Sequence, residues 1–344
     1  MDNIENKDTK KKSKVGMIFF IIGIVIIAIM LYNLGWTALI TNLRKVGWWM
    51  PLIIASRLLM YPLNTMSWRK LSYLTKEEKE KLSWLRMFRL TISGYAINYI
   101  TPVMALGGEP YRIMQTKDDL GTKRATSSVL NYAMMHILSH FFFWICGFLL
   151  LIFFDYNKTP RAVFIASLVF IFLSLLAIIF IIKAYKKGII VSFFRFVCRI
   201  PFLGKFVKRK MTEEFKSSLI DTDKKFTDLY NHHRKEFFVA LFYETLSRIL
   251  SCVEFLLILW AVGQHIDMID AIIIVTLTTL ISNIAFVFPM QVGIREGALA
   301  VALKCVGVAG SLGIVVGIVA RISELTWITI GMLMIKVKRF GKHK

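Results

Sequence analysis

The sequence is poor in charge and in cysteine, and each shortage argues against a class of protein. Only 19% of the 344 residues are charged, whereas an ordinary soluble domain carries about 25%. The 4 cysteines form no CxxC spacing, which argues against a disulfide framework or a zinc site. Walker, GxSxG and Rossmann glycine patterns are also missing from the sequence. We therefore expect no metal, no cofactor and no catalytic residue of these kinds.

Acidic residues are scarce as well, with 22 against 44 lysines and arginines and a net charge of +22. Such a surplus is found in nucleic-acid-binding proteins, but their basic residues cover the surface of a compact soluble domain. Here 56% of the residues are hydrophobic, and they form runs long enough to cross a bilayer, which takes about 20 helical residues. The sequence therefore indicates a membrane protein without a nucleic-acid partner.

The apolar runs predict an all-α polytopic membrane protein with about six full transmembrane spans and two re-entrant helical hairpins. The predicted spans are residues 17–34, 48–66, 127–154, 162–182, 237–262 and 311–335. Residues 85–106 and 271–306 are apolar too, but proline and glycine interrupt them. Broken backbone at membrane depth is tolerated where it is buried in protein or lines a cavity. We therefore predict the hairpins in these two segments.

The positions of lysine and arginine predict the topology, because they accumulate in cytoplasmic loops. Most of them lie in the tails 1–16 and 336–344 and in the segments 69–89, 112–124 and 183–235. If residues 85–106 crossed the membrane, the basic loop 183–235 would lie outside. A re-entrant hairpin instead places every basic segment and both termini in the cytoplasm. The loop 183–235 is amphipathic, and we expect it to lie on anionic membrane lipids.

Two sets of turn residues suggest an inverted repeat within a single transmembrane domain over residues 17–335. Repeat 1 would cover about 47–154 and repeat 2 about 237–335, and such repeats are common in transporters. The hairpin turns are predicted at Asn98, Pro102, Gly107 and Gly108, and at Asn283, Pro289 and Gly293. Two unrelated kinks are the alternative. Three full crossings after residue 262 would also end in the cytoplasm.

Charged residues within apolar runs indicate a functional site. Each charged side chain costs at least about 2.5 to 3.5 kcal/mol of insertion free energy at the bilayer centre, so it usually faces a partner or a cavity. The predicted path for a lipid headgroup consists of Glu109, Arg112, Arg295, Glu296, Arg57, Arg248, Glu244, Arg321 and Glu324. A further carboxylate in an apolar run is Glu254. Glu and Arg that follow a glycine turn lie at a helix N-terminus, which favours an anion, and arginine fits phosphate.

Two pairs in this set have a structural alternative. Glu244 and Arg248 are spaced i,i+4, and Arg321 and Glu324 are spaced i,i+3. Each pair shares a helix face and could neutralise itself there. His136 also lies in an apolar run, together with His140. Since no HExxH motif or nearby carboxylate accompanies them, we interpret them as interior histidines and not as metal ligands.

Two motifs resemble those of the lysylphosphatidylglycerol synthase transmembrane-domain family of flippase-like membrane proteins. GGEPYR at 107–112 resembles the family's GGE-x-x-R, and PMQVGIREGA at 289–298 resembles its P-x-G-x-G-x-R-E-x-A. The family's Arg-x-x-Asp/Glu is matched by Arg321 and Glu324, whereas the first half has Ala133 and His136 there. Gln291 takes the place of a usual glycine.

The resemblance implies a multi-pass protein of the bacterial cytoplasmic membrane with headgroup contacts at Glu109, Arg112, Arg295 and Glu296. Its substrate would be a phospholipid, an aminoacyl-phospholipid such as lysylphosphatidylglycerol, or a lipid-linked precursor. Because the sequence ends at Lys344, we expect no cytosolic lysyltransferase domain. The alternatives are a phosphatidylglycerol lysyltransferase-type enzyme linked to cationic peptide resistance, and a non-transporting membrane partner. A second copy or a separate lipid-modifying enzyme is the expected protein partner.

Overall fold

The computed structural model describes residues 36–100, 107–154, 159–187, 233–284 and 293–336, together with Tyr32 and Gln291. All regular structure in these ranges is helical, which confirms the all-α prediction. Other predicted features lie outside the described residues: most of the span 17–34, the basic tails, most of the loop 183–235, and the turn residues Pro102 and Pro289.

The helices are α1 Trp36–Val46, α2 Met50–Ser56, α3 Tyr61–Leu71, α4 Lys76–Lys81, α5 Trp84–Ile100, α6 Gly108–Leu120, α7 Thr122–Phe154, α8 Arg161–Lys187, α9 Arg234–Ala261, α10 Met268–Ile284, α11 Ile294–Cys305 and α12 Gly313–Lys336. Within the described ranges, 4 helical stretches are long and apolar enough to cross a membrane. They are Leu39–Leu71, Thr122–Phe154, Arg161–Lys183 and Gly310–Ile335.

These stretches contain four of the predicted spans, 48–66, 127–154, 162–182 and 311–335. The run 237–262 forms α9, whose apolar character is interrupted by Glu244, Arg248 and Glu254. The second broken segment forms the short apolar helix α10 and then α11. The number of full spans and the re-entrant paths therefore stay predictions.

The stretch Leu39–Leu71 is broken into short helices, although its sequence predicted one span. Turns of 3-10 helix at Gly47–Trp49 and Arg57–Leu59 separate α1, α2 and α3. A proline lies in the first turn of both α2 and α3, where its missing N–H costs nothing but where it cannot continue a preceding helix. The second break places Arg57 between two helices, inside the protein.

The two halves of the described chain use corresponding packing partners. Helix α5 of the first half packs on α12, and α10 of the second half packs on α7. Helices α3 and α9 pack on each other, and α6 and α11 each pack on the helix that follows. Each half thus packs one of its helices against the other half, which is the pattern expected of two repeats related by a two-fold axis. The inverted orientation of the repeats stays a prediction.

The apolar core of the described residues is divided into three clusters. One core joins α7, α9, α10, α11 and α12 through fully buried residues such as Ile258 and Val315. A second core surrounds Trp68 and Tyr132. A smaller cluster contains Trp327 and joins α3, α5 and α12. It forms one wall of the cavity described below.

Candidate functional site

The helix pair α10–α11, called here the second helix pair, begins its second limb at Gly293. This glycine has φ 80°, a conformation that glycine adopts without steric cost. Its N–H donates to Glu296 Oε2 at 2.8 Å, and Arg321 Nε donates to Glu296 Oε1 at 2.7 Å. A methyl group on Gly317 would lie 2.9 Å from Glu296 Cγ. Glu296 therefore ties α11 to α12, and the glycine of α12 gives it room.

A row of four charges continues from this point across four segments of the chain. We call Glu254, Arg57, Glu324 and Arg295 the charge row. Arg57 Nη2 lies 3.0 Å from Glu254 Oε2 and 3.4 Å from Glu324 Oε1. Arg295 Nη1 lies 2.7 Å from both oxygens of Glu324. Ser323 Oγ accepts a hydrogen bond from Arg57 Nε at 3.2 Å. Two carboxylates thus balance two guanidinium groups, and Glu324 is shared between them.

The charged pairs predicted from spacing within one helix are formed differently in the structure. Arg321 and Glu324 bond residues of α11, namely Glu296 and Arg295. Glu244 Oε2 lies 2.9 Å from His136 Nδ1 on α7, and Arg248 donates to Ser139 Oγ at 2.7 Å. Spacing fixes which helix face carries a charge, but the facing helix supplies the closest partner. These side chains therefore connect helices to one another.

The helix pair α5–α6, the first helix pair, is joined at its neck by Asn98. Its Oδ1 accepts the N–H of Gly108 at 2.6 Å, and its Nδ2 donates to Glu109 Oε1 at 3.1 Å. A methyl group on Gly108 would lie 2.8 Å from Asn98 Oδ1. The predicted residues Asn98, Gly107, Gly108 and Glu109 therefore lie together where α5 and α6 meet.

Arg112 lies in an aromatic cage formed by Trp68, Tyr95 and Tyr132. Its Cζ is 5.1 Å from the ring centre of Tyr95, 5.3 Å from that of Tyr132 and 5.8 Å from that of Trp68. Aromatic faces attract a cation at these distances. The Arg112 side chain is only 1% exposed, so a lipid headgroup cannot reach it in this conformation. Sequence reasoning missed the three aromatic residues, which look like ordinary members of apolar helices.

Further contacts fix the Arg112 guanidinium inside the cage. Its Nη2 donates to the carbonyl of Thr91 at 3.2 Å, and its Nη1 lies 3.5 Å from Glu109 Oε1. A methyl group on Gly94 would lie 2.6 Å from Arg112 Cζ. The glycine of α5 thus gives room to Arg112, much as the glycine of α12 gives room to Glu296.

A cavity of about 280 Å³ lies between α3, α5 and α12, and residues of the first helix pair and of the charge row line it. Arg57 and Glu324 of the charge row line it, and so does Asn98 of the first helix pair. Tyr95 of the aromatic cage and Trp327 contribute aromatic walls. The lining thus combines a guanidinium, a carboxylate and aromatic rings, which suits an amphiphilic ligand with an anionic end.

Within the described ranges, no group of three or more His, Cys, Asp or Glu side chains is arranged to hold a metal ion. The charged residues of the cavity are held by each other and by neighbouring polar groups. The chemistry that this arrangement offers is therefore the exchange of one ionic partner for another.

Comparison with known protein families finds a match that covers most of the chain. The family described as "Lysylphosphatidylglycerol synthase TM region" matches residues 16–331. The chain belongs to this family. No family of a cytosolic domain is found, and no curated protein or solved structure matches significantly. Family membership and the membrane-length helices together make the chain an integral membrane protein.

One departure from the pattern of this lysylphosphatidylglycerol synthase TM region family has a structural explanation. Gln291 stands where a glycine is usual, and it keeps a glycine-like φ of 51°. Its Nε2 donates to the carbonyl of Ser282 at 2.9 Å, which joins α10 to the start of α11. Asn283, the predicted turn residue, is exposed and bonds Thr279 of its own helix. Gln291 therefore fills in the second helix pair the bridging role that Asn98 has in the first.

Proposed function

We propose that this protein is a lipid translocator of the bacterial cytoplasmic membrane. The substrate is a phospholipid, an aminoacyl-phospholipid such as lysylphosphatidylglycerol, or a lipid-linked precursor, and its anionic headgroup enters the cavity. Membership in a family named for lysylphosphatidylglycerol synthase supports a substrate of this class. The missing nucleotide-binding motifs support transport without ATP.

The observation that carries the proposal is the shared carboxylate of Glu324. Its oxygens bond Arg295 at 2.7 Å while one of them also lies 3.4 Å from Arg57 at the cavity wall. Carboxylate and phosphate both match the planar guanidinium fork. Glu324 thus takes the place at Arg57 that a headgroup phosphate can take.

The exchange keeps every charge paired, which matters because an unpaired charge inside a membrane protein is costly. When a phosphate binds Arg57, Glu324 keeps its two short contacts to Arg295. When the lipid leaves, Glu324 returns to Arg57. Both guanidinium groups are partly accessible, with side-chain exposures of 12% for Arg57 and 16% for Arg295.

Translocation in proteoliposomes tests the proposal, with fluorescent phosphatidylglycerol and lysylphosphatidylglycerol as probes. We expect wild-type vesicles to move a probe at least tenfold faster than protein-free vesicles. Arg57→Gln should abolish this because the headgroup loses its cation, and Glu324→Gln should slow it because the returning carboxylate is lost. Arg86→Gln is the matched control, since Arg86 forms an ion pair with Asp119 away from the cavity.

Two results would overturn the proposal. One is transport at the protein-free rate for every probe, and the other is wild-type transport by Arg57→Gln. Synthesis of lysylphosphatidylglycerol from charged tRNA by the purified chain, without lipid movement, would favour the enzyme. Stable co-purification with a lipid-modifying enzyme, again without lipid movement, would favour the non-transporting partner.

A further inference from the structure

A second polar cluster lies between α7 and α9, apart from the charge row. His136 Nδ1 lies 2.9 Å from Glu244 Oε2, so an imidazole and a carboxylate meet across two helices. The Glu244 side chain is fully buried, whereas that of His136 is 32% exposed. The headgroup exchange at Arg57 makes no use of this pair. A buried carboxylate beside a histidine inside a membrane protein therefore calls for a role of its own.

The position of Arg248 distinguishes this cluster from the charge row. Arg248 donates to the carbonyl of His136 at 2.6 Å and to Ser139 Oγ at 2.7 Å. The short contact of the Glu244 carboxylate is thus to an imidazole, a ring that can both accept and release a proton. In the charge row, by contrast, the carboxylates contact guanidinium groups, which keep their protons at all physiological pH values.

Aromatic residues connect the cluster to the cavity. The His136 ring centre is 6.0 Å from that of Tyr95 and 6.3 Å from that of Tyr132. The hydroxyls of these two tyrosines lie 2.8 Å apart, and Tyr95 lines the cavity. Both tyrosines also belong to the cage around Arg112. A change of charge at His136 therefore changes the electrostatic potential at the aromatic cage and at the cavity wall.

The titratable and charged groups that face His136 come from each helix around it. They are Tyr132 and His140 on α7, Glu244 and Arg248 on α9, Tyr95 on α5 and Arg112 on α6. Glu244 and Arg248 balance each other in charge, so a proton added to the histidine–glutamate pair leaves one net positive charge. Tyr95 and Tyr132 contact both His136 and Arg112, so one aromatic ring separates this charge from the Arg112 cation, and like charges repel.

We propose that the His136–Glu244 pair is a proton-binding site that couples lipid translocation to the proton gradient. This inference rests on the proposed function. A proton from water binds the pair in one state of the transport cycle, and the added charge weakens the hold of the aromatic cage on Arg112. An N–H or O–H bond forms when the proton binds and breaks when the same proton leaves to water in the other state, so the protein is unchanged over one cycle.

Transport under an imposed pH gradient tests the coupling. We expect the gradient to change the wild-type rate severalfold, and we expect this response to disappear in His136→Gln and in Glu244→Gln. Both replacements can still form a hydrogen bond between α7 and α9, so a purely structural pair would keep its function. His265→Gln, at an exposed histidine outside the cluster, should respond as the wild type does.

Infrared difference spectroscopy of the purified protein tests the site without any transport. Acidification should produce a carboxyl or imidazolium band that is lost in both variants and kept in His265→Gln. Bands of this kind in a protein that moves no lipid would contradict the proposed function and leave the proton site standing. Lipid transport that ignores the gradient, with no band that depends on Glu244, would overturn the proton site alone.

Discussion

The two helix pairs begin their second limbs with similar residues, yet they hold their arginines in opposite ways. In the first pair, Arg112 is enclosed by three aromatic rings and is 1% exposed. In the second, Arg295 is 16% exposed and shares a carboxylate with Arg57 at the edge of a cavity. Arg112 has a carboxylate partner in Glu109 at 3.5 Å, but its guanidinium is enclosed, so a ligand cannot reach it. Arg295 of the second pair keeps Glu324 paired when Glu324 leaves Arg57, so exchange with a lipid is expected at Arg57, beside the second pair.

The largest effect is expected where the charge row is broken. Arg57→Gln removes the guanidinium bonded to Glu254, whose side chain is 5% exposed. We expect about 3 kcal/mol of lost stability, the lower end for a broken buried ion pair, measured by denaturant unfolding in detergent. The double variant Arg57→Gln/Glu254→Gln should recover part of the loss. No recovery would mean that charge is not the cause.

A smaller loss is expected when the cage of the first helix pair is disturbed. Gly94→Ala places a methyl group 2.6 Å from Arg112 Cζ, and overpacking of this kind costs about 2 kcal/mol. Gly297→Ala is the control, because no atom lies within 4 Å of a methyl group there. We expect the control to be neutral or stabilising in thermal unfolding. Equal stability of the two variants would show that Arg112 moves freely in its cage.

Two variants of Gln291, which joins the two helices of the second helix pair, can be compared at one position. Gln291→Ala keeps the strain of a positive φ and loses the bond to Ser282, so it should cost about 1 kcal/mol. Gln291→Gly loses the same bond but relieves the strain, so it should be the more stable of the two by a similar amount. Thermal unfolding measures the difference. A more stable alanine variant would contradict the assigned backbone conformation.

The ion pair of Glu78 and Arg124 lies outside both helix pairs. Its contribution to stability shows how much an exposed ion pair of this protein is worth, compared with the buried charge row. Partial burial raises the pKa of Glu78, but the N–H of Thr75 and the guanidinium of Arg124 outweigh this effect and hold the pKa below its usual value. The stabilisation is therefore present above the unfolded-state pKa and is lost as the pH falls through the folded-state pKa.

Glu78→Gln should cost less than about 1 kcal/mol at neutral pH, because the Arg124 side chain is 37% exposed and solvent screens the pair. Unfolding of both proteins as a function of pH measures this difference. The two proteins should become equally stable in acid. A difference that persists there would show that packing, and not charge, is responsible.

The sequence predicted the helical class and identified the charged residues within apolar runs, because apolar runs and rare charges can be read locally. It could not predict the partners of those charges. Arg57 and Glu324 are separated by 267 positions, and no periodicity relates such distant residues. The aromatic cage could not be predicted either, because the sequence gives no sign that Trp68 and Tyr132 differ from other aromatic residues of the helices. Glu254 was noticed as a charge but not assigned to the path.

Lipid binding tests most directly whether Glu324 occupies the place of a headgroup phosphate. The measurement is calorimetric titration of the purified protein in detergent with short-chain phosphatidylglycerol. Removing the competing carboxylate with Glu324→Gln should tighten binding about tenfold, equivalent to about 1.4 kcal/mol, while Arg57→Gln should abolish binding. Equal affinities for the wild type and both variants would contradict the exchange of Glu324 for a lipid phosphate.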